Sequence, residues 1–358
     1  MLKVLIIFIL LLLLYILTKS KQLTSNESNE LEKQKHLENQ NNEKNLENKN
    51  NLGKEKNSEN GKNSENEKNL ENIFNIEQDN YHYFSCFVAI GKLENRYARE
   101  LVEYYLSMGV EQFYFGDDNE VGTEQLSDVL QDYIDKKKVN IYKIRQFNMS
   151  QQDLFENVFL KIKHKCDWIF FYDFDEYLEF KDKNMTLKEY LSKEEFKKCD
   201  VIKIHWLIFG DNDLVYYDNR TLRERFTIPN YGSNLNRFHK SIVRGKDYNG
   251  TIWRDNTGSH QPYEGLVNMC DAVGGLANVP YGILGTANYH YGYIRHFRLK
   301  TAEEFAIKIK KGIHQNRKFD YNEKIDEFFE NNKFTEEKLA VFEKILNTSF
   351  PKYHNRKV

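Results

Sequence analysis

The chain has 358 residues, of which 40% are hydrophobic and 14% aromatic, enough for one large domain or two small ones. Its formal net charge is −2, and no block of basic residues occurs in it. Nucleic-acid binding depends on a basic surface that neutralises phosphates, so the composition argues against a nucleic-acid partner.

An apolar run at the start of the chain predicts a membrane anchor. Residues 4–17 are apolar without a break, and Met1, Leu2 and Thr18 extend the run toward the length of a thin-membrane span. No small-residue cleavage site follows, which favours an uncleaved signal anchor over residues 1–19. Lysines on both sides leave its orientation open. We therefore expect a single-pass membrane protein, of Golgi-like type II in a eukaryote or in the cell membrane of a bacterium.

A polar segment of low complexity follows at residues 20–80. It consists mainly of Asn, Glu, Lys and Ser, and short units recur in it, as at 44–48 and 68–72. Such a composition cannot bury enough apolar surface to offset the entropy cost of ordering. We therefore expect a disordered stalk that separates the domain at 81–358 from the membrane.

Strands and helices alternate through the first half of that domain. Strands are predicted at 83–90, 112–115, 139–144, 168–172, 201–207 and 237–243. Helices are predicted at 96–108, 126–134, 153–164 and 301–311. This alternation is typical of βαβ units, so we expect an α/β fold with a mostly parallel sheet flanked by helices.

The four cysteines are Cys86, Cys166, Cys199 and Cys270, and none belongs to the Cys-x-x-Cys pair of a zinc site. Three of them lie in or beside apolar runs, which favours buried free thiols. One or two disulfides in an oxidising compartment are the alternative.

Six asparagines belong to the glycosylation sequon Asn-x-Ser/Thr. They are Asn26, Asn148, Asn184, Asn219, Asn249 and Asn347. A chain so rich in asparagine contains several such sequons by chance, so the sequons alone support glycosylation only weakly.

The strongest chemical signal is the run Trp-Ile-Phe-Phe-Tyr-Asp-Phe-Asp-Glu-Tyr-Leu at 168–178. A buried strand leads into Asp173, Asp175 and Glu176, and strand alternation predicts that the two aspartates point to the same side. Neighbouring buried carboxylates are costly unless a cation compensates them. Mg²⁺ and Mn²⁺ prefer such oxygen ligands together with substrate phosphates. We therefore predict a divalent metal and a phosphorylated ligand at the carboxyl end of this strand.

A metal at a strand end fits two classes of enzyme. In a glycosyltransferase the ion neutralises the leaving nucleoside diphosphate. In a haloacid-dehalogenase-like phosphatase the motif supplies a nucleophilic aspartate and usually lies on the first strand. Here three predicted strands precede Asp173, and Glu176 follows the motif, which favours the transferase. A carbohydrate-binding module without activity is a further alternative.

The blocks on both sides of this run form an ordered series. Residues 93–105 read L-E-N-R-Y-A-R-E-L-V-E-Y-Y, close to the pattern N-E-x-R-Y-x-x-E-W-x-x-Y-H except at Leu93, Leu101 and Tyr105. Further blocks stand at 205–210, 240–244, 259–262 and 294–312. This series resembles glycosyltransferase family 92 and related family-2-like enzymes. The resemblance implies a Rossmann-like GT-A fold and transfer of a hexose to a glycan acceptor, with UDP-galactose as the favoured donor.

The resemblance also implies which residues hold the donor. Glu94 and Asp117, after the first two strands, would bind the base and ribose of the nucleotide. Lys240 and Arg244 would bind phosphate as cations, and solvated surface charges are the alternative for both.

A metal shell follows from the same resemblance. Asp173 and Asp175 would bind Mn²⁺ or Mg²⁺ together with the diphosphate. His260 would complete the shell from the far side, since neutral imidazole is a good ligand, and His296 competes for that role. A structural or acceptor-binding function of His260 is the alternative.

An inverting transfer further requires a carboxylate that deprotonates the acceptor hydroxyl. Asp211 is favoured, with Asp213 and Glu264 as alternatives, and a retaining mechanism stays open.

Overall fold

The structure is a computed structural model. It describes residues 81–147, 149–248, 267–277, 285–312 and 319–354, all within one unit that extends from Ile73 to Val358. The predicted anchor at 1–19, the predicted stalk at 20–80, His260 and Glu264 lie outside these residues. No helix within the described ranges is long and apolar enough to cross a membrane.

Nine strands in this part of the chain belong to one sheet. They are β1 (Tyr83–Gly91), β2 (Gln112–Asp117), β3 (Val139–Lys143), β4 (Cys166–Phe171), β5 (Glu176–Phe180), β6 (Val201–Ile208), β7 (His239–Arg244), β8 (Met269–Asp271) and β9 (Gly292–His296). The α-helices are α1 (Asn95–Met108), α2 (Leu126–Asp135), α3 (Gln151–Ile162), α4 (Leu187–Leu191), α5 (Leu222–Arg225), α6 (Ala302–Lys311), α7 (Tyr321–Asn331), α8 (Glu336–Leu346) and α9 (Pro351–His354). Every strand and helix predicted above is present, with ends that differ by at most two residues.

The order of strands along the sheet is β3-β2-β1-β4-β7-β6-β9-β5, and β8 pairs with β6. The first four strands are mutually parallel, which confirms the predicted βαβ half of the fold. Strand β7 is antiparallel to both β4 and β6, and β5 is antiparallel to β9. As a result, the carboxyl ends of β1, β2 and β4 lie at one edge, where open α/β sheets bind ligands.

An aromatic core holds α1 against the parallel strands. Leu101 and Tyr105 follow Tyr97 at helical spacing, and all three are buried. The ring of Tyr105 lies 4.5 Å from that of Phe87 on β1, which in turn stacks 6.1 Å from Phe170 on β4. Each such buried side chain contributes about 1.5–3 kcal/mol of transfer free energy, so this layer fixes the edge of the sheet that carries the acidic run.

All four cysteines are paired in disulfides, Cys86–Cys166 and Cys199–Cys270. The favoured prediction of buried free thiols is therefore wrong, and the alternative prediction of disulfides is confirmed. The reason is strand adjacency. Cys86 and Cys166 lie on the neighbouring strands β1 and β4, whereas Cys199 lies two residues before β6, the neighbour of β8, which carries Cys270. The Cα atoms are 5.9 Å apart in the first pair and 5.8 Å in the second.

Candidate active site

The acidic run lies in the turn between β4 and β5, because β4 ends at Phe171 and β5 begins at Glu176. Asp173 and Asp175 are thus turn residues, and the prediction that strand alternation orients them is wrong. Glu176 closes this turn: its Oε2 accepts the Asp173 N–H at 2.8 Å, and its own N–H donates to the Asp173 carbonyl at 3.2 Å. Glu176 therefore holds the turn that presents the two aspartates.

Asp173 is the more open of the two aspartates, with a side chain 36% exposed. Its Oδ2 accepts a 2.7 Å hydrogen bond from Lys240 on β7, and its Oδ1 accepts one of 3.1 Å from Gln151 at the start of α3. Lys240 is buried, which lowers its pKa, but Asp173 and Glu176 raise that pKa above the ordinary value. Lys240 thus lies beside the acidic turn as its counter-ion, and its predicted role as a phosphate ligand stays a prediction.

Asp175 is buried among cations. Its Oδ2 lies 3.2 Å from the Lys300 Nζ and 2.9 Å from the Lys308 Nζ, and its Oδ1 lies 3.4 Å from the His296 Nε2. Burial would raise the pKa of Asp175, but Lys300, Lys308 and His296 hold it well below its usual range. This carboxylate is therefore ionised at neutral pH.

Two buried groups beside Asp175 have strongly shifted pKa values. Burial lowers the pKa of His296 to about 4 despite the opposing effect of Asp175, so its imidazole is neutral at pH 7. Burial raises the pKa of Glu176 to about 8, although Lys240 opposes that shift. The Nδ1 of His296 and the Oε1 of Glu176 make no hydrogen bond within the described structure. Neutral imidazole nitrogen is a suitable metal ligand, whereas Glu176 with this pKa is mainly protonated at pH 7.

The acidic turn faces a cavity of about 260 Å³. Cationic side chains of the cavity wall are Lys92, Arg298, Lys308 and Lys311. Lys92 follows β1, Arg298 lies between β9 and α6, and the other two lysines are on α6, so the cavity lies between the sheet edge and α6. Sequence reasoning assigned no role to these cations, although Lys308 belongs to the C-terminal block of the resemblance.

Arg298 is held in place from α7. Its Nε and Nη2 donate to the two carboxylate oxygens of Glu327 at 2.5 and 3.2 Å. Burial would raise the pKa of Glu327, and Arg298 and Lys324 lower it to about 2. The ion pair thus fixes a permanent positive charge on the cavity wall.

The two acids expected to bind the nucleotide have different surroundings. Glu94 lines the cavity and accepts a hydrogen bond from Lys311 at 2.9 Å. Burial would raise the pKa of Glu94, but Lys300 and Lys311 lower it below the ordinary value. Asp117 instead accepts the backbone N–H groups of Asn119 and of Leu126, at the start of α2. Its position at the end of β2 is as predicted, but both its oxygens are engaged in local structure.

The structure separates Arg244 from Lys240, which the sequence grouped as phosphate ligands. Strand β7 is antiparallel to β4, so Arg244 pairs with Trp168 near the start of β4, whereas Lys240 lies near its end. Arg244 stacks on Trp168 at 4.1 Å and donates to the carbonyl oxygens of Phe196 and Cys199. The structure therefore does not bring Arg244 to the acidic turn.

Asp211 and Asp213, the predicted bases, lie in the turn after β6. The buried Asp211 carboxylate lies 2.6 Å from the Nζ of Lys338 on α8, and burial raises its pKa despite that lysine. Asp213 is 71% exposed and has a left-handed φ of 60°. Neither lines the cavity of the acidic turn as far as the described residues define it.

The site offers donor atoms suited to a metal ion, but they are not already arranged as a coordination shell. The carboxylates of Asp173 and Asp175 and the neutral imidazole of His296 fit the chemistry of Mn²⁺ and Mg²⁺. Within the described ranges, no three His, Cys, Asp or Glu side chains are already gathered as a metal site. The prediction for His260 falls outside those ranges.

Comparison with known proteins decides the class of enzyme. The family model described as glycosyltransferase family 92 matches residues 82–339. This chain belongs to glycosyltransferase family 92. The family 92 chain is accordingly a glycosyltransferase, and the phosphatase alternative is set aside.

Solved structures give a broader comparison. The family 92 chain is 14% identical to S. aureus TarS 1–349, over 68% of this chain and 70% of that one, with a TM-score of 0.34. The same TarS fragment in complex with UDP is 12% identical, over 69% and 70% of the two chains, with a TM-score of 0.34. Longer TarS is 14% identical, over 69% and 43%, with a TM-score of 0.32. A search of curated proteins finds no match. No site residue is transferred at these levels of similarity.

Proposed function

We propose that this glycosyltransferase moves a hexose from a UDP-sugar donor to a glycan acceptor with the help of Mn²⁺ or Mg²⁺. The observation that carries the proposal is the position of Asp173 and Asp175 beside a cationic cavity at the carboxyl ends of β1 and β4. UDP-galactose is the first donor to test, because the sequence blocks resemble enzymes that use it.

The cavity has the charge that a nucleoside diphosphate requires. The four cationic side chains of its wall, Lys92, Arg298, Lys308 and Lys311, outnumber the three acidic ones, Glu94, Asp173 and Asp175. Cations paired with phosphate oxygens form strong, charge-assisted hydrogen bonds, and they also stabilise the negative charge that develops as the sugar leaves. These residues would therefore bind the diphosphate in the ground state and hold it as the leaving group.

Asp173, Asp175 and His296 are the residues that would hold the metal. When bound, the ion would supply further positive charge for the leaving diphosphate. His296 is preferred here to His260, because its neutral imidazole already lies 3.4 Å from Asp175. Lys240 would keep its role as the counter-ion that holds Asp173 and the turn.

The acceptor base belongs to the turn after β6 in this proposal. Lys338 lies 2.6 Å from the buried Asp211 and 3.5 Å from Asp213, but the Asp213 side chain is 71% exposed and therefore accessible to a large acceptor. We accordingly favour Asp213 over Asp211 as the group that takes the acceptor proton, with Asp211 and Lys338 holding the turn.

The disulfides bear on the compartment. Cytosolic proteins rarely keep disulfides, whereas secretory compartments form them. A bacterial enzyme would need to face the cytosol, where its sugar nucleotides are made. Two disulfides in the catalytic domain therefore favour a lumenal domain behind the predicted anchor at 1–19, in the manner of a Golgi-type type II enzyme.

The test is a panel of nucleotide sugars, each incubated with the purified full-length protein and Mn²⁺. Release of nucleotide should occur with UDP-hexoses and stop when the metal is chelated. Asp173→Asn should abolish release. Asp247 is an exposed acid three residues beyond the end of β7, and Asp247→Asn should leave release unchanged. Turnover that persists in Asp173→Asn would contradict the proposed site.

A further inference from the structure

Three of the six sequons lie in the described part of the chain, and all three are at the surface. Asn184 stands in the turn between β5 and α4, and Asn219 lies two residues before Thr221, the N-cap of α5. Asn347 is the C-cap of α8 and has a left-handed φ of 52°. Each of these asparagines is exposed.

The side-chain carboxamides of these asparagines do not hold other parts of the described structure in place. None of the three side chains makes a hydrogen bond to another described residue. By contrast, Asn230, Asn236 and Asn332, which stand outside sequons, use their side-chain nitrogens to hold neighbouring segments. Attachment of a group to the sequon nitrogens would therefore cost the fold no hydrogen bond.

An independent observation places the chain where such attachment takes place. Both disulfides join buried cysteines, which favours folding of the domain in an oxidising compartment. Glycosylation of Asn-x-Ser/Thr takes place in the secretory pathway, and the modified asparagines are at the surface of the folded protein. This reasoning depends on the disulfides and not on the proposed sugar transfer.

We propose that Asn184, Asn219 and Asn347 carry N-linked glycans. In each case the carboxamide nitrogen forms a bond to the anomeric carbon of an oligosaccharide, and the bond between that carbon and a lipid diphosphate carrier breaks. The carrier leaves as the lipid diphosphate, and the nitrogen loses one proton to the surroundings. The co-substrate is therefore a lipid-linked oligosaccharide.

The structure also sets the time of this modification. The Thr186 hydroxyl donates to Glu189 at 2.8 Å and accepts the Glu189 N–H at 3.1 Å, as the N-cap of α4. The Thr221 hydroxyl makes the same pair of bonds with Glu224, at 2.8 and 3.3 Å. The sequon hydroxyls are thus engaged once α4 and α5 exist. Transfer has to precede the formation of these helices, on the chain as it enters the compartment.

Glycans at these positions leave the proposed donor site open. None of the three asparagines lines the cavity that faces Asp173. Asn184 borders a different cavity, of about 310 Å³, beside Tyr104 and Arg223. A glycan on Asn184 would cover that cavity, so we do not expect the acceptor to bind there.

The test uses the full-length chain, expressed in the secretory pathway of a eukaryotic cell. Peptide N-glycosidase removes each N-glycan and converts its asparagine to an acid, which peptide mass spectrometry locates. The expected result is conversion at positions 184, 219 and 347. Unmodified peptides at these three positions, or modification confined to Asn26, Asn148 and Asn249, would overturn the proposal.

Substitutions provide the matched controls. Asn184→Gln, Asn219→Gln and Asn347→Gln should each lower the mass of the intact protein by one glycan. Asn322→Gln changes an exposed asparagine outside any sequon and should leave the mass pattern unchanged. Thr186→Ser keeps both the hydroxyl that caps α4 and the sequon, so this variant should keep its glycan. Thr186→Val removes both and should lose the glycan. Identical mass patterns in all variants would refute the assignment.

Discussion

Replacing Asp175 by Asn probes the charge at the centre of the site while keeping the shape of the side chain. Asp175 is 4% exposed and contacts Lys300, Lys308 and His296 within 3.4 Å. Loss of one partner from a buried ion pair costs about 3–5 kcal/mol, because the other charge is left uncompensated. Lys300 keeps a second acid, Glu94, at 3.5 Å, which places the expected loss near the lower end of that range.

The same substitution should affect catalysis more than folding. A loss of about 3 kcal/mol leaves most domains folded, since their stability is about 5–15 kcal/mol. Asp175 would act by holding the metal, and loss of one positive group that stabilises the leaving diphosphate lowers kcat by about 10²–10³. Denaturant unfolding followed by tryptophan fluorescence and turnover of the UDP-sugar would measure the two effects in parallel, with Asp247→Asn as the control. Unchanged stability together with full activity in Asp175→Asn would refute the reasoning.

Three further predictions follow from the contacts around the site. Glu327→Gln frees Arg298 and should raise KM for the donor several-fold; it should also lower the free energy of unfolding at pH 7, because the ionised Glu327 stabilises the fold. An unchanged KM would argue against Arg298 as a phosphate ligand. Glu304→Gln breaks a buried pair with Arg225 and should cost about 3 kcal/mol of unfolding free energy at pH 7. Burial would raise the pKa of Glu304, but Arg225 lowers it below the ordinary value. The pair therefore stabilises the fold above the pKa of the unfolded chain, which is about 4.3. The difference in unfolding free energy between the wild type and Glu304→Gln should shrink as the pH falls below that value. His296→Gln should raise the Mn²⁺ concentration needed for half-maximal activity; no change would favour another histidine as ligand.

Local patterns were sufficient for the parallel half of the fold. Apolar runs of strand length alternate with helical periodicity from Tyr83 to Phe171, and each element is confined to a short stretch of chain. The placement of Asp173 after β4 was predictable for the same reason. The turn itself was not, because it depends on the mutual hydrogen bonds of Asp173 and Glu176.

Pairings between distant segments could not be read from spacing. The disulfide Cys86–Cys166 spans 80 residues, and Cys199–Cys270 spans 71. Each depends on which strands are neighbours in the sheet. The position of Arg244 could not be predicted for the same reason. Only the antiparallel direction of β7 shows that Arg244 lies far from the acidic turn.

The cationic wall of the cavity was missed for a related reason. Arg298, Lys308 and Lys311 belong to a segment more than 120 residues beyond the acidic turn, and Lys308 reaches Asp175 across 133 residues. In the sequence, lysines near α6 are indistinguishable from a solvated helix face. Only the packing of α6 over the sheet edge turns them toward the carboxylates.

Titration calorimetry of the full-length protein with UDP in the presence of Mn²⁺ tests the central claim most directly, namely that the cavity at Asp173 binds a nucleoside diphosphate. We predict measurable binding by the wild-type protein and an affinity at least about tenfold lower in both Asp173→Asn and Arg298→Gln, which corresponds to about 1.4 kcal/mol. Asp247→Asn should bind as the wild type does. Equal affinity in all four proteins, or no binding of UDP at all, would contradict the account.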